Sequence, residues 1–589
     1  MDSKAIRARA QEYVEQEQNE SFRSEVEALL KQNNDDELFE RFYTDLSFGT
    51  GGIRGVMGGG FNRMNPLVIQ RTTQGLANYL LEHGIKDQQG RLSVAIAYDS
   101  RNNSPLFSST AAQVLAANGI HVYLFSSLRP TPELSFTIRE LGCTSGIVCT
   151  ASHNPKKYNG YKVYWQDGAQ ITPPHDAGII SQVKAVNGPV KSMDFQEALD
   201  KGLVEYIDAD MDNKFVEMVK RQVVRPDMLM KGPHDLKVVY TPLHGTGTMM
   251  IERVMNELGI SVSIVPEQRD PDGDFPTVEF PNPEEASAMK LALDLARKED
   301  ADLVIGTDPD ADRVGIAVKS GNDYVLLNGN QHGVLLTDYM YGSMKELGTL
   351  PQRPAFINTI VSTDLQRKIA AKYGAEVFET LTGFKWIASK IRELEENNGP
   401  RYVMGGEESY GFMIGNEVRD KDSISATVVT IEMALYYQQK GKSLLDRLDE
   451  IHGEFGLYQE TLISKYFEGA NGVGIMNGMM AGLRENPPAE IAGIAVSSVR
   501  DIQDGTTLDI QTGSKKKDID LPSSNVLQFI LSDGSIISAR PSGTEPKIKF
   551  YASVKDEPGK DLDESRKRVQ EKIDGIESFI ESVIAAAKN

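Results

Sequence analysis

The chain has 589 residues, enough for three to five domains at roughly 100–200 residues each. It carries 84 acidic and 63 basic side chains, a formal net charge of −21, which argues against a general nucleic-acid binder because such a protein needs a basic face to displace counterions. Two cysteines, Cys143 and Cys149, build no disulfide framework in a chain this long, Met1–Gln18 is polar with no signal core, and no run of about 18 apolar residues occurs, so a cytoplasmic protein without a membrane partner is expected.

Taken in chain order, the helical N-terminal stretch is followed by Leu92–Ala97, a short apolar strand, a helix ending at Gly119, the strand Ile120–Phe125, a helix near Thr131-Pro132-Glu133 and the strand Gly146–Cys149. Thr131 is expected to cap that helix, with Pro132 at its first position. The order recurs as Leu236–Tyr240, a helix ending at Gly259, Ile260–Val265, a helix near Glu284–Arg297 and Leu303–Ile305. It recurs again as Ala355–Asn358, a helix ending at Gly374, Ala375–Phe378, a helix near Phe384–Glu396 and Tyr402–Met404. Gly119, Gly259 and Gly374 each stand where a helix ends on a left-handed residue. The alternation predicts three similar parallel-sheet α/β domains. Beyond about residue 455 the repeat stops, and strands at Val526–Leu531 and Ile548–Ser553, with a helix near Asp563–Ala587, predict a C-terminal α+β domain. The expected domains are 1–210, 211–325, 326–455 and 456–589, around a central cleft.

Ligands of α/β sheets collect beyond the carboxyl ends of the strands. Each third strand runs into a loop rich in chemistry: Thr150-Ala-Ser-His-Asn-Pro155, Thr307-Asp-Pro-Asp-Ala-Asp-Arg313 and Gly405-Gly-Glu-Glu-Ser-Tyr-Gly411. Asp308, Asp310 and Asp312 alternate in a turn; three carboxylates so close repel unless a divalent cation joins them, and Mg²⁺ suits few protein ligands beside a phosphate. An EF-hand is excluded, because the sixth position from Asp308 is Arg313 and the twelfth is Lys319. Ser152, flanked by His153 and Asn154, is a nucleophile only with help from a base or metal; no Gly-x-Ser-x-Gly elbow is present. Arg540, Ser542, Gly543 and Thr544 make a turn able to cradle an anion. Glu407 and Ser409 offer grips for sugar hydroxyls. Phe48–Gly55 is Gly-rich and carries Arg54, reading equally as a substrate lip or a turn. Lys162, Arg313, Thr382, Lys385, Arg419 and Lys421 are further polar residues near these loops.

Together, in this order, the loops Thr-Ala-Ser-His-Asn-Pro, Asp-Pro-Asp-Ala-Asp-Arg, Gly-Glu-Glu-Ser and Arg-Pro-Ser-Gly-Thr-Glu resemble the α-D-phosphohexomutase superfamily. Tyr158–Gln170 and Tyr240–Gly247 are similar to its bacterial phosphoglucomutase branch, itself related to phosphopentomutase and glucose-1,6-bisphosphate synthase. The resemblance implies that Ser152 carries a phosphoryl group and that Asp308, Asp310 and Asp312 hold Mg²⁺ with an oxygen at Ser152. Glu407 and Ser409 would read the sugar hydroxyls, and Arg540, Ser542, Gly543 and Thr544 would bind the non-reacting phosphate. Arg54, Lys162 and Arg313 would surround the phosphoryl group in flight, and Thr382 and Gly383 would line the sugar. His153 and Lys421 match positions for proton transfer or charge stabilisation, which the sequence does not divide between them. The implied reaction interconverts glucose 1-phosphate and glucose 6-phosphate through glucose 1,6-bisphosphate. Its implied partners are small sugar phosphates, with no nucleic acid or membrane, and the chain is expected as a monomer or weak homodimer. The alternatives are another mutase or a synthase of the superfamily, a metal phosphohydrolase, or a sugar-phosphate sensor.

Overall fold

The computed structural model describes residues 2–49, 51–232, 234–467, 472–542, 547–559 and 561–588. Three of its four sheets share one plan. In each, the first strand of the repeat lies between the second and the third in parallel, and an antiparallel strand follows on the third. The first sheet sets Ser93–Tyr98 between His121–Leu124 and Ser145–Cys149, with Tyr158–Trp165 antiparallel on the latter. The second sets Val238–Thr241 between Val262–Ile264 and Leu303–Thr307, with Val314–Ser320 antiparallel. The third sets Pro354–Thr359 between Glu376–Thr380 and Arg401–Glu407, with Gly411–Ile414 antiparallel. The sheets are therefore mixed rather than purely parallel, because each chemical loop ends in a hairpin return.

The central strands Ser93–Tyr98, Val238–Thr241 and Pro354–Thr359 are buried along their whole length, as helices on both faces of a sheet require; hence their continuous apolar runs. Gly119, Gly259 and Gly374 adopt φ of 75°, 75° and 93°, the left-handed conformation expected of them. The helix expected near Glu284–Arg297 begins later, at Lys290–Glu299. Thr131 is not a cap: the helix Thr131–Leu141 starts at that residue, and Pro130 takes the cap position.

The last sheet is antiparallel, running Tyr458–Tyr466, Lys547–Lys555, Ile536–Pro541, Leu527–Leu531, Ile494–Asp501, Thr506–Asp509 and Lys515–Lys516. Met476–Met480, rich in Gly and Met, lies inside the helix Gly472–Glu485, which with Leu562–Lys588 covers this sheet through Met476, Met479, Val569 and Ile576. The N-terminal helix Ser3–Gln16 packs on the first domain through Ile6, Ala10 and Tyr13 against Phe42, Phe61 and Leu67. Among the described residues, no helix is long and apolar enough to cross a membrane.

Candidate active site

The three loops meet because backbone and side chain tie them together. The Thr131 amide donates to the Asp310 carbonyl at 2.9 Å, and its hydroxyl to Asp310 Oδ2 at 3.1 Å. The Val314 amide donates to the Tyr410 carbonyl at 2.9 Å, and the Ser423 hydroxyl donates to the Ala311 carbonyl at 2.5 Å. Elements of the first and third domains thus fix the aspartate loop, which belongs to the second.

Ser152 sits at φ 52°, a left-handed conformation costly for a residue with a Cβ. Its Oγ donates to Asp308 Oδ2 at 2.8 Å and lies 3.1 Å from His153 Nδ1. The loop around it is clamped by a residue that sequence reasoning missed. Arg101, 1% exposed, donates to the carbonyls of Ser152, Asn154, Pro155 and Tyr158 at 2.5, 2.5, 3.1 and 3.0 Å. Its Nε lies 3.3 Å from Asp99 Oδ2. That carboxylate oxygen also accepts the Thr150 hydroxyl at 2.6 Å, and Thr150 Oγ1 accepts the Ser152 amide at 2.8 Å. The available signal was Asp99-Ser-Arg101, directly after the first strand, where ligand-side loops begin.

Asp308, Asp310 and Asp312 are 0%, 0% and 1% exposed, and one carboxylate oxygen from each lies within 4.8 Å of the others. Asp308 Oδ1 accepts the amides of Asp312 and Arg313 at 3.0 and 2.9 Å. Lys162 Nζ donates to Asp310 Oδ2 at 2.9 Å and lies 3.6 Å from Asp312 Oδ2, which Lys421 Nζ approaches at 2.9 Å. Asp310 Oδ1 and Asp312 Oδ1 are buried and accept no hydrogen bond from the described residues. Buried orphan oxygens are costly, and a divalent cation satisfies them, so the donor set fits a hard metal ion.

Burial, then the charges of Asp310 and Asp312, push the Asp308 carboxyl well above the usual range. For Asp310, burial is outweighed by Lys162, and the carboxyl is held below it. Burial, then the nearby Arg313 and Arg54, hold His153 well below its ordinary value, so its imidazole is neutral at pH 7. For Lys421, burial is outweighed by Asp312, Asp420 and Glu407, and the ammonium is held protonated.

The remaining residues divide. Arg54 stands on the edge strand Gly52–Val56, with Nη1 3.5 Å from Asn154 Oδ1. The Gly-rich lip is partly sheet: a Cβ at Gly52 would meet the Tyr161 carbonyl at 1.9 Å, so only glycine fits there. Arg313 pairs with Glu284 and lies 3.9 Å from Asp312. Glu407 is the last residue of its strand rather than part of the loop, and its Oε1 accepts the Gly383 amide at 2.7 Å; Thr382 precedes that glycine, and Ser409 is half-buried. Glu408, not singled out from sequence, accepts the hydroxyls of Thr359 and Ser362 at 3.1 and 3.3 Å; burial and Glu407 raise it to about 7. Arg419 is structural: it is 1% exposed and bonded to Glu395. Arg540 is the penultimate residue of the strand Ile536–Pro541, opposite Lys549, and the Ser542 amide donates to the Lys547 carbonyl at 2.7 Å. Gly543 and Thr544 lie outside the described residues.

The models of the phosphoglucomutase/phosphomannomutase α/β/α domains I, II and III match residues 45–188, 213–321 and 328–454. The chain belongs to the phosphoglucomutase/phosphomannomutase family. It is 39% identical over 519 residues to a phosphoglucomutase of Staphylococcus haemolyticus, covering 87% of this chain and 91% of that one. It is 37% identical over 535 residues to a phosphoglucomutase of Staphylococcus aureus, covering 90% and 93%. The family fold recurs in solved structures. Paramecium pp63/parafusin in its open form aligns with a TM-score of 0.67 at 18% identity, covering 93% of this chain and 95% of that chain. A phosphoglucomutase/phosphomannomutase family protein from Burkholderia thailandensis aligns at 0.63 and 18%, covering 92% and 98%. Family membership makes the chain a phosphohexomutase, an isomerase rather than a hydrolase or sensor.

Proposed function

We propose that this enzyme interconverts glucose 1-phosphate and glucose 6-phosphate, with Ser152 carrying the phosphoryl group and glucose 1,6-bisphosphate as the intermediate. The observation that carries the reading is Ser152 Oγ, held in a strained backbone, 2.8 Å from one of three buried aspartates and 3.1 Å from a neutral imidazole. A sensor has no use for such a nucleophile.

Asp308, Asp310 and Asp312 would hold Mg²⁺, which when bound supplies charge neutralisation at the transferring phosphate. The chain's own residues do the rest. In the first half-reaction the Ser152 Oγ–phosphorus bond breaks as the free sugar hydroxyl bonds to phosphorus. Net, one proton passes from that hydroxyl to Ser152 Oγ. The neutral His153 is within reach to exchange it, while the protonated Lys421 stabilises charge. Lys162 and Arg54 add positive charge around a loose transition state whose catalysis is mainly positioning and electrostatics. Glu407 and Ser409 grip the sugar hydroxyls, and Arg540 with Ser542 holds the phosphate that is not reacting. The bisphosphate then turns over, and its other phosphate returns to Ser152.

Intact-mass measurement with peptide mapping, before and after glucose 6-phosphate, tests the route. One phosphate gained or lost at Ser152 is expected; label on any other residue overturns it. Comparing kcat/KM on glucose 1-phosphate, mannose 1-phosphate and ribose 1-phosphate tests the sugar.

A further inference from the structure

The N-terminal helix does more than cover the first domain. Between it, the segment Tyr43–Phe48 and the end of the helix His175–Ala185 lies a cleft of about 690 Å³, in the size range of small-molecule sites. None of Ser152, Asp308, Asp310 or Asp312 lines it. Three cations do: Arg9, Arg71 and Lys184. The guanidinium carbons of Arg9 and Arg71 lie 5.2 and 4.8 Å from the centre of the Phe61 ring, which holds both in place.

Two carboxylates face the same cleft, Glu12 and Asp45. Asp45 pairs with Arg9, and Glu12 accepts from Gln16. Arg71 donates to the Gln16 amide oxygen at 2.7 Å, but neither it nor Lys184 meets a carboxylate among the described residues. Arg9 Nε is buried and has no hydrogen-bond partner among the described residues. In a chain of net charge −21, a cleft with one more cation than anion and an unsatisfied guanidinium N–H is set for an anion. Thr44, Ser47 and Thr72 add hydroxyls to its wall.

We propose that this cleft is a second anion site, which takes a phosphorylated small molecule and adjusts turnover from outside the catalytic loops. Phosphate oxygens would bond Arg71 and Lys184 and compete with Asp45 for Arg9. That competition acts on a segment with a short path to the chemistry. The Leu46 amide donates to the Phe61 carbonyl at 2.8 Å and the Gly49 amide to the Gly52 carbonyl at 2.7 Å, and Gly52–Val56 carries Arg54. The turnover half of the proposal rests on the mutase reading; the binding half does not.

Inorganic pyrophosphate is the probe, and hydrogen exchange of the full-length protein reads binding without any activity. Exchange in peptides covering 43–48 and 180–188 slows about tenfold at ten times Kd. The slowing is lost in Arg71→Gln/Lys184→Gln, while slowing at 150–155 remains. Lys184→Gln alone, an exposed substitution, weakens it without threat to the fold. Slowing confined to the catalytic loops, or unchanged in the variants, overturns the site. At saturating glucose 1-phosphate, pyrophosphate shifts kcat of the wild type and not of the double variant; binding in the cleft with kcat unmoved removes the regulatory half.

Discussion

Thr131 and Asp310 hold each other twice, through the backbone at 2.9 Å and through hydroxyl and carboxylate at 3.1 Å. A residue at the start of a first-domain helix thereby orients a second-domain carboxylate. The site is assembled by contact between domains, and its chemistry depends on parts distant in sequence.

Ser152→Ala lowers mutase turnover by more than about 10⁴-fold, because the phosphoryl carrier is removed rather than weakened. The buried, small substitution leaves the fold intact by circular dichroism. Steady-state assay with glucose 1-phosphate is the check; retention of a tenth of wild-type activity sinks the phosphoserine route.

Chelation of divalent ions abolishes activity, and readdition of Mg²⁺ restores it. It also lowers the unfolding temperature, since three aspartates buried together repel once uncompensated. Calorimetry with and without chelator reads the second effect independently of turnover. An unchanged melting temperature contradicts metal binding by this triplet.

Arg101→Met removes the clamp on four carbonyls and strands Asp99 in the interior. The expected loss is about 3–5 kcal/mol of stability, the usual outcome of breaking a buried pair. A loop displaced by even 1 Å costs about 100-fold in kcat/KM. Urea denaturation and kinetics at a temperature where the variant is folded separate the two.

Arg540→Ala raises KM and lowers kcat with the fold preserved, because one anion grip serves both orientations of the bisphosphate. An unchanged kcat/KM removes Arg540 from the phosphate site.

Glu432, fully buried, accepts the Val224 amide at 3.1 Å and bonds the Arg225 amide; burial raises its carboxyl to about 7. The folded state therefore holds a proton that the unfolded chain releases near the ordinary value of 4.5. Stability falls as pH rises from about 4.5 to about 7 and is level above that, a change of roughly 3 kcal/mol. Glu432→Gln keeps an acceptor and flattens the slope. Urea midpoints at pH 5 and 8 for both proteins test it; equal slopes remove Glu432 as the cause.

Much of this molecule is legible along the chain because its signals are local. Gly119, Gly259 and Gly374 mark helix ends by a backbone requirement that no neighbour alters, and apolar runs such as Leu303–Ile305 mark strands buried on both faces. The spacing of Asp308, Asp310 and Asp312, and the company of Ser152, carry their chemistry in a few residues. Arg101 was hidden because its partners lie 51 to 57 residues away, and an arginine beside an aspartate reads equally well as a solvated turn. The antiparallel return in each sheet, the passage of Thr131 from cap to inter-domain clasp, and the split between a neutral His153 and a charged Lys421 were settled only in three dimensions. Burial and the charges of other domains decide those, and neither is a property of a residue and its sequence neighbours.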